Sequence, residues 1–343
     1  MPADLPIATD VQLQSFNTFR IAARARRYLR VTNPAQLAAL VADPALAALP
    51  RLLLGGGSNL LITRDEVDAL VLHMALEGKE IVGTTGDATL VRARAGENWH
   101  GFVEWTIDQG MGGLENMALI PGTVGAAPIQ NIGAYGAEVK DSFHSLTAFD
   151  FASGALRTMT AAECRFGYRD SVFKHPEGAQ LAVLDVTFAL PRVWRPNLRY
   201  AELANAVRDA GIAAPLPRQV ADAVIAIRRR KLPDPREIGN AGSFFKNPAV
   251  SPEHCARLLE QWPDLVHHVQ PDGSEKLAAG WLIDRCGWKG RSLGRAGVYP
   301  QQALVLVNNG DASGAEVLAL ARAIQQDVQE RFGVVLEPEP VLV

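Results

Sequence analysis

The sequence predicts an α+β protein, because strong helix and strand patterns lie in different stretches of the chain. The strongest helix pattern has a capping box at Ser313 and Glu316, an apolar stripe behind it and a terminating Gly333. The strongest strand pattern is at 184–190, where large apolar residues alternate with other residues as in a half-buried strand. Pro196, Pro215 and Pro217 mark connections after the strand, so we expect a domain boundary near 192–215.

The other expected elements are short. Between about 81 and 190 the chain mixes short strands with glycine-rich turns. The remaining elements are expected in this order: a helix from Pro34, a buried strand at 51–54, strands at 60–62 and 67–72, a helix ending at 228–231 and a last strand at 334–336.

Composition excludes several classes of protein. The chain has 343 residues, 48% of them apolar, and a net charge of −3, so a polyanionic partner such as nucleic acid is not expected. No signal-peptide pattern and no membrane-length apolar run is visible, which predicts a cytoplasmic protein without membrane association. Three unpaired cysteines favour buried thiols over a disulfide framework or a zinc site, so no metal is expected.

One serine stands among small residues, in the run GNAGSFFKNP at 239–248. Small residues let a backbone and a ligand approach closely, and Pro248 prevents Asn247 from continuing a helix. Ser243 is therefore expected to be displayed to a ligand. From the residues alone, a serine that caps a turn is the commoner case. No GxSxG elbow supports a hydrolytic nucleophile.

Two loops are rich in small residues, GGGSN at 55–59 and IPGTVGAAP at 120–128. The first offers several backbone N–H groups to a phosphate, but a tight structural turn is equally consistent with it. It is neither the dinucleotide fingerprint nor a P-loop. The second loop is uncharged and smooth enough for a flat ring, or it is a tightly packed turn. Together the loops suggest a large nucleotide cofactor.

At these residues the chain resembles the UDP-N-acetylenolpyruvoylglucosamine reductase family, in its long form. The matching blocks occur in the family's order and cover nearly the whole chain: NTF at 17–19, GGGSN at 55–59, IPGTVGAAPIQNIGAYG at 120–136, CRFGYRDSVFK at 164–174, KLPDP at 231–235, GNAGSFFKNP at 239–248 and LEPE at 336–339. Tyr200, which precedes the third domain, indicates the long form.

The resemblance implies a two-lobed FAD-binding domain of the vanillyl-alcohol-oxidase (PCMH) type and a smaller C-terminal α/β substrate-binding domain. The implied boundaries are 1–75 and 76–192 for the two lobes, 193–214 for a connection carrying Tyr200, 215–333 for the substrate domain and 334–343 for a C-terminal strand returning to the active site. The implied FAD contacts are Gly55, Gly56, Gly57, Ser58, Asn59, Leu60, Ile120, Gly122, Thr123, Gly125 and Ala126.

The implied activity is an FAD-dependent oxidoreductase of peptidoglycan precursor synthesis, acting on a CH–CH bond with NADP. NADPH reduces non-covalently bound FAD, and hydride then passes from flavin N5 to the vinyl group of an enolpyruvyl UDP-sugar. A monomer is expected. The alternatives are a non-catalytic regulator that binds a UDP-sugar or flavin, and another FAD-linked oxidoreductase.

The resemblance assigns catalysis to three residues. Ser243 matches the proton donor, Arg169 the arginine that holds the substrate carboxylate, and Glu339 a third catalytic residue that could donate as a protonated acid. The family arginine that usually follows this glutamate is absent from 340–343, and Glu337 is a second possible register.

Further positions match substrate contacts of the long form: Tyr135, Tyr200, Arg228, Lys231, Asn247, His268 and Gln302. Lys231 and Arg228 suit the diphosphate, although part of the basic run at 228–230 is expected to be a solvated helix end. His268 stands where the family commonly has a tyrosine, which would make that contact pH-sensitive.

Overall fold

The structure is a computed structural model and describes residues 5–343. The chain forms two compact units. Within the described residues, unit 1 comprises 5–11, 25–56 and 68–230, and unit 2 comprises 12–24, 57–67 and 231–343. The first glycine loop is therefore divided, with Gly55 and Gly56 in unit 1 and Gly57 in unit 2. The compact units are defined by contacts within the structure, whereas the boundaries expected from the sequence are those of the family's domains. Those domain boundaries therefore stay a prediction.

Strands and helices are numbered here in chain order. The strands are β1 Ala8–Gln12, β2 Arg24–Val31, β3 Arg51–Leu54, β4 Leu60–Leu61, β5 Glu66–Met74, β6 Lys79–Thr85, β7 Ala88–Arg94, β8 Gly133–Ala134, β9 Ala137–Glu138, β10 Phe143–Asp150, β11 Ala155–Thr160, β12 Leu181–Pro191, β13 Gly239–Ser243, β14 Ala249–Val250, β15 His267–Val269, β16 Glu275–Leu277, β17 Ser292–Leu293, β18 Ala296–Val298, β19 Val305–Asn308 and β20 Val341–Leu342. The helices are α1 Pro34–Ala42, α2 Pro44–Ala47, α3 Trp99–Asp108, α4 Ala161–Cys164, α5 Ala201–Asp209, α6 Pro217–Lys231, α7 Pro252–Gln261, α8 Ala279–Arg285 and α9 Gly314–Phe332.

Unit 1 is built on two sheets. One has the strand order β1-β2-β5-β3, and the other is the antiparallel sheet β11-β10-β12-β7-β6. The antiparallel sheet packs one face against α3, α5 and α6, around Trp99, Phe102 and Phe188. Phe149 and Leu184 of this sheet join a second core with α1, β2 and β5. Unit 1 thus has a sheet that is covered on both faces.

This double covering corrects the half-buried strand expected at 184–190. The strand is longer, and it is buried without a break from Leu181 to Val186. Asp185 is buried too, with a carboxylate oxygen 3.5 Å from the Arg94 guanidinium. Alternation survives only in the second half of the strand. The expected buried strand at Arg51–Leu54 forms, but only Leu54 is buried, because this strand lies at the edge of its sheet.

Unit 2 contains the sheet β13-β19-β18-β17, the sheet β14-β16-β15 and the parallel pair β20-β4. Helix α9 begins as predicted, since Ser313 Oγ accepts from the Glu316 N–H and Glu316 Oε2 accepts from the Ser313 N–H. It ends at Gly333, which adopts a φ of 65°.

The prediction of a last strand at 334–336 is wrong. Those residues are not in a strand; the Leu336 carbonyl accepts from the Gln325 side chain, and the strand is Val341–Leu342. The proline-interrupted Glu-Pro-Glu-Pro stretch moves regular pairing to the residues after Pro340. The expected helices from Pro34 and up to Lys231 are confirmed, as are strands at 60–61 and 67–72.

None of the helices between residues 5 and 343 combines the length and the hydropathy that crossing a bilayer requires.

Candidate active site

The two glycine loops meet in unit 1. A Cβ atom added to Gly55 would lie 2.6 Å from Thr123 Oγ1, and one added to Gly56 would lie 2.9 Å from the Gly122 Cα. Gly125 is packed equally tightly on Ala95. Side chains at Gly55 and Gly56 would force the loops apart, so these two glycines are required by the contact between the loops.

The Thr123 hydroxyl is buried beside these glycines and has no hydrogen-bond partner within the described residues. Burying a hydroxyl without a partner costs free energy, so such a group is normally satisfied by a ligand or water. The loops therefore form a cradle with backbone on both sides and one unsatisfied donor. This arrangement fits a cofactor with a polar, extended middle portion, as FAD has.

The second half of the GGGSN run has a different role. Gly57 has a φ of 58°, and its missing side chain leaves room for the backbone of Phe16 in unit 2. Asn59 Nδ2 donates to the Glu339 carbonyl at 3.2 Å, and Leu60 pairs with Val341. The structural-turn interpretation therefore applies to Gly57, Asn59 and Leu60, and the ligand-binding interpretation of Gly55 and Gly56 stays a prediction.

The segment that contains Glu339 runs antiparallel to the residues that follow Ser243 in unit 2. The Glu339 N–H donates to the Phe244 carbonyl at 2.8 Å, and the Lys246 N–H donates to the Glu337 carbonyl at 2.9 Å. Ser243 is the last residue of β13 and is half-buried. Glu339 is 9% exposed.

Glu337 is placed quite differently. Its side chain is 70% exposed and makes a 2.6 Å ion pair with Lys246. Of the two possible registers for the acid, only Glu339 is buried and adjacent to the Ser243 segment. The geometry therefore favours Glu339.

Arg169 is held in a strained conformation in unit 1. Its φ is 53°, in the left-handed region that residues with a side chain rarely adopt, and its Nη2 donates to the Gly133 carbonyl at 3.0 Å. Asp170, a candidate structural partner of Arg169, pairs with His175 at 2.9 Å. The neighbouring loop is fixed by Asn131, whose amide donates to the Gly167 carbonyl at 2.9 Å.

Three of the predicted substrate residues form a second cluster in unit 1. The rings of Tyr135 and Tyr200 pack edge to face with centroids 5.2 Å apart. Burial raises the pKa of Tyr135 to about 12, and the nearby Arg228 opposes this rise. Tyr135 therefore stays a neutral hydrogen-bonding phenol.

Arg228 contributes a guanidinium group to this cluster. Its Nε is buried and has no hydrogen-bond partner among residues 5–343, and burial lowers the pKa of the guanidinium. A partly desolvated guanidinium with an unused donor is poised for an anion, because pairing would recover the lost hydration. Lys231, another predicted contact, is the last residue of the same helix.

Three substrate positions in unit 2 are less clearly placed for a ligand. The side-chain oxygen Oδ1 of Asn247 accepts from the N–H of Ala279 at 3.0 Å, so this side chain anchors the start of α8. Gln302 accepts from the Leu304 N–H at 3.3 Å. His268 is exposed on β15, opposite Lys276.

Comparison with known proteins identifies the family. A model of the FAD binding domain matches residues 25–160, and a model of the UDP-N-acetylenolpyruvoylglucosamine reductase C-terminal domain matches 234–343. The UDP-N-acetylenolpyruvoylglucosamine reductase of Burkholderia multivorans is 57% identical, over 99% of each chain. That of Paraburkholderia phymatum is 56% identical, also over 99% of each chain.

The chain belongs to the UDP-N-acetylenolpyruvoylglucosamine reductase family. The crystal structure of the reductase from Thermus caldophilus covers 98% of this chain, with a TM-score of 0.69 at 24% identity, and has the same fold. The predicted fold class, an FAD-binding domain followed by the reductase C-terminal domain, is confirmed.

Sequence reasoning missed the residues that support this family's loops. Asn116 is 2% exposed, and its amide donates to the carbonyls of Tyr135 and Asn197 at 2.8 and 2.9 Å. Asn131 is buried with a φ of 45°. The one available signal is an asparagine inside a glycine-rich run, since asparagine tolerates left-handed backbone.

Proposed function

We propose that the protein reduces UDP-N-acetyl-3-O-(1-carboxyvinyl)-glucosamine to UDP-N-acetylmuramate with NADPH and FAD, in peptidoglycan precursor synthesis. The observation that carries this proposal is the 57% identity to the Burkholderia multivorans reductase over 99% of both chains. We place the activity in the cytoplasm, where NADPH and the nucleotide sugar are available, and expect a monomer.

FAD is proposed to occupy the cradle between the two glycine loops, without a covalent bond. Gly55, Gly56 and Gly122 would let backbone N–H groups approach its pyrophosphate, and Thr123 would gain the partner that its buried hydroxyl lacks. The remaining proposed contacts are Gly57, Ser58, Asn59, Leu60, Ile120, Gly125 and Ala126. When bound, FAD supplies the hydride that reduces the vinyl group.

Ser243 is proposed to deliver the proton that completes the reduction. A hydroxyl is a weak acid, but the carbon of an enolate is basic enough to take its proton when the two are positioned together. Support comes from the placement of Ser243 at the half-buried end of β13, among small residues. The proton leaves Ser243 Oγ and forms the C–H bond next to the carboxylate.

Arg169 and Glu339 are proposed to act on the substrate carboxylate and the charge that develops on it. A guanidinium can hold a carboxylate in a bidentate fork, and this contact strengthens as enolate charge spreads onto the carboxylate. Glu339 would donate as a protonated acid to the same system. Its support is burial and its position beside the Ser243 segment.

The nucleotide-sugar is proposed to bind through Tyr135, Tyr200, Arg228 and Lys231. The Arg228 side chain supports this role best, because its buried Nε has no partner among the residues that the structure describes and a diphosphate oxygen would provide one. Asn247, Gln302 and His268 remain proposed contacts with weaker structural support.

The deciding experiment measures NADPH oxidation by the purified, yellow protein with and without the enolpyruvyl UDP-sugar. We expect rapid oxidation only when the sugar is present, and UDP-N-acetylmuramate as product. Flavin that is bound but not turned over by the sugar would contradict the proposal and favour a non-catalytic binding protein. Turnover with a different acceptor would indicate another FAD-linked oxidoreductase.

A further inference from the structure

Three potential metal ligands converge in unit 2, and none of them is a residue assigned to the reaction. The ligand atoms that Cys255, His267 and Glu275 offer, one from each residue, all lie within 4.8 Å of one another. Cys255 is on α7, whereas His267 and Glu275 are on the antiparallel hairpin β15-β16. In that hairpin His267 pairs with Leu277 and Val269 with Glu275, so His267 and Glu275 are diagonal neighbours on one face.

The three side chains are shielded from water to different degrees. Cys255 is buried, the Glu275 side chain is 13% exposed and the His267 side chain is 32% exposed. His267 Nδ1 and Glu275 Oε2 are 2.9 Å apart, so the imidazole and carboxylate are already oriented towards each other. A cysteine that serves only packing is normally surrounded by apolar groups. A buried thiol next to a carboxylate is therefore unusual for a packing cysteine.

We propose that Cys255, His267 and Glu275 form a binding site for one zinc ion. Thiolate, imidazole and carboxylate are the three donors that Zn²⁺ accepts in proteins, and three protein ligands with a water in the fourth position form a common open site. The partly exposed edge of His267 leaves a route for that water. One thiolate, one carboxylate and one neutral imidazole carry two negative charges, which a divalent ion neutralises.

Metal binding would change the protonation of the site. Burial and the nearby Glu275 raise the pKa of the Cys255 thiol. On coordination the S–H bond is replaced by a sulfur–metal bond, and one proton leaves to solvent. The imidazole keeps one nitrogen for the metal and can donate with the other.

The consequence for the fold is a link between α7 and the β15-β16 hairpin. An ion held by one helix ligand and two hairpin ligands stabilises the folded state by mass action, because the unfolded chain does not hold the three groups together. The sequence indicates no zinc site because its cysteines are not paired. This donor set uses only one cysteine, which that criterion does not detect.

The test is a Co²⁺ titration of the metal-stripped, FAD-containing full chain, with Zn²⁺ displacement afterwards. Tetrahedral Co²⁺ has visible absorption to the red of the flavin, so the flavin does not obscure it. We expect one equivalent of tetrahedral Co²⁺, displaced by Zn²⁺, and a Zn²⁺-dependent rise in Tm. Cys255→Ser and His267→Gln should weaken Co²⁺ binding at least about 10- to 100-fold.

Cys286→Ser is the matched control, because it removes a partly exposed thiol of the same unit that is outside the cluster. It should bind Co²⁺ like the unmodified protein. Equal Co²⁺ binding by the unmodified protein and Cys255→Ser would overturn the proposal. So would a failure of the unmodified protein to bind one tetrahedral Co²⁺, a result that does not depend on whether any variant folds.

Discussion

The glycine cradle of unit 1 and the Ser243–Glu339 region of unit 2 are stabilised by different physical means. In the cradle, backbone meets backbone so closely that a methyl group at Gly56 would lie 2.9 Å from the Gly122 Cα. In the second region, hydrogen bonds join segments 91 residues apart in the chain, as between Lys246 and Glu337. The cradle is therefore sensitive to volume, whereas the second region is sensitive to the chemistry of individual side chains.

Ser243→Ala should produce the largest effect, because it removes the proton donor but almost no volume. General acid catalysis contributes roughly 10²–10⁴-fold, so flavin reoxidation by the enolpyruvyl sugar should slow by that factor. Stopped-flow absorbance of reduced flavin measures this half-reaction. Reduction of the flavin by NADPH serves as the internal control and should be nearly unchanged; an equal loss in both half-reactions would refute the role of Ser243.

Glu339→Gln and Glu337→Gln form a matched pair that tests which carboxyl group acts. Glu339 is buried beside the Ser243 segment, so its loss should slow the sugar-dependent half-reaction by about 10²-fold, at the low end of acid catalysis. The largely solvated Glu337 carboxylate makes an ion pair with Lys246, which contributes about 0–1 kcal/mol to stability, so the Glu337 variant should keep its rate. If Glu337→Gln slowed the half-reaction and Glu339→Gln did not, the acid would be Glu337.

The cradle could be predicted from the sequence better than the acid–donor region. Glycine is the residue used where a side chain would not fit. The glycines within 55–57 and 122–125 therefore predict, from local sequence alone, that another group approaches the backbone closely. The capping box of α9 is similarly local, since Ser313 and Glu316 satisfy each other within one turn.

The position of Glu339 could not be derived from the sequence in the same way. Its neighbours depend on Phe244 and Lys246 pairing with a distant, proline-interrupted segment, and local patterns carry no information on such pairing. The same limit explains the misplaced last strand at 334–336. The roles of Ser243 and Glu339 came from resemblance to the family, and the structure adds that Glu339 is buried whereas Glu337 is exposed.

Arg228→Gln and Arg229→Gln test whether the partly desolvated guanidinium binds the diphosphate. Hydrogen bonds to charged groups contribute about 1.5–3 kcal/mol, so the Arg228 variant should weaken binding of the UDP-sugar by about 10- to 150-fold. Arg229 is an exposed neighbour on the same helix, and its variant should bind like the unmodified protein. Fluorescence titration of the flavin measures both affinities.

The same Arg228 variant carries a second expectation about stability. Because no group in the described part of the chain hydrogen-bonds the buried Nε, its removal should leave the Tm of the substrate-free protein unchanged or raised. A lower Tm together with unchanged affinity would mean that Arg228 is a structural residue.

Gly56→Ala tests the cradle itself. The added methyl group must displace the Gly122 backbone, and overpacking of this kind costs about 1–3 kcal/mol, which corresponds to roughly 5- to 150-fold weaker FAD binding. Gly101→Ala is the matched control, because its new Cβ would meet nothing closer than 3.5 Å and alanine is favoured in a helix. FAD affinity of the apoprotein, measured by quenching of flavin fluorescence, should fall only in the first variant. Equal FAD affinity in the two variants would show that the contact between the loops is a structural turn alone, and the FAD site would have to be sought elsewhere in the domain.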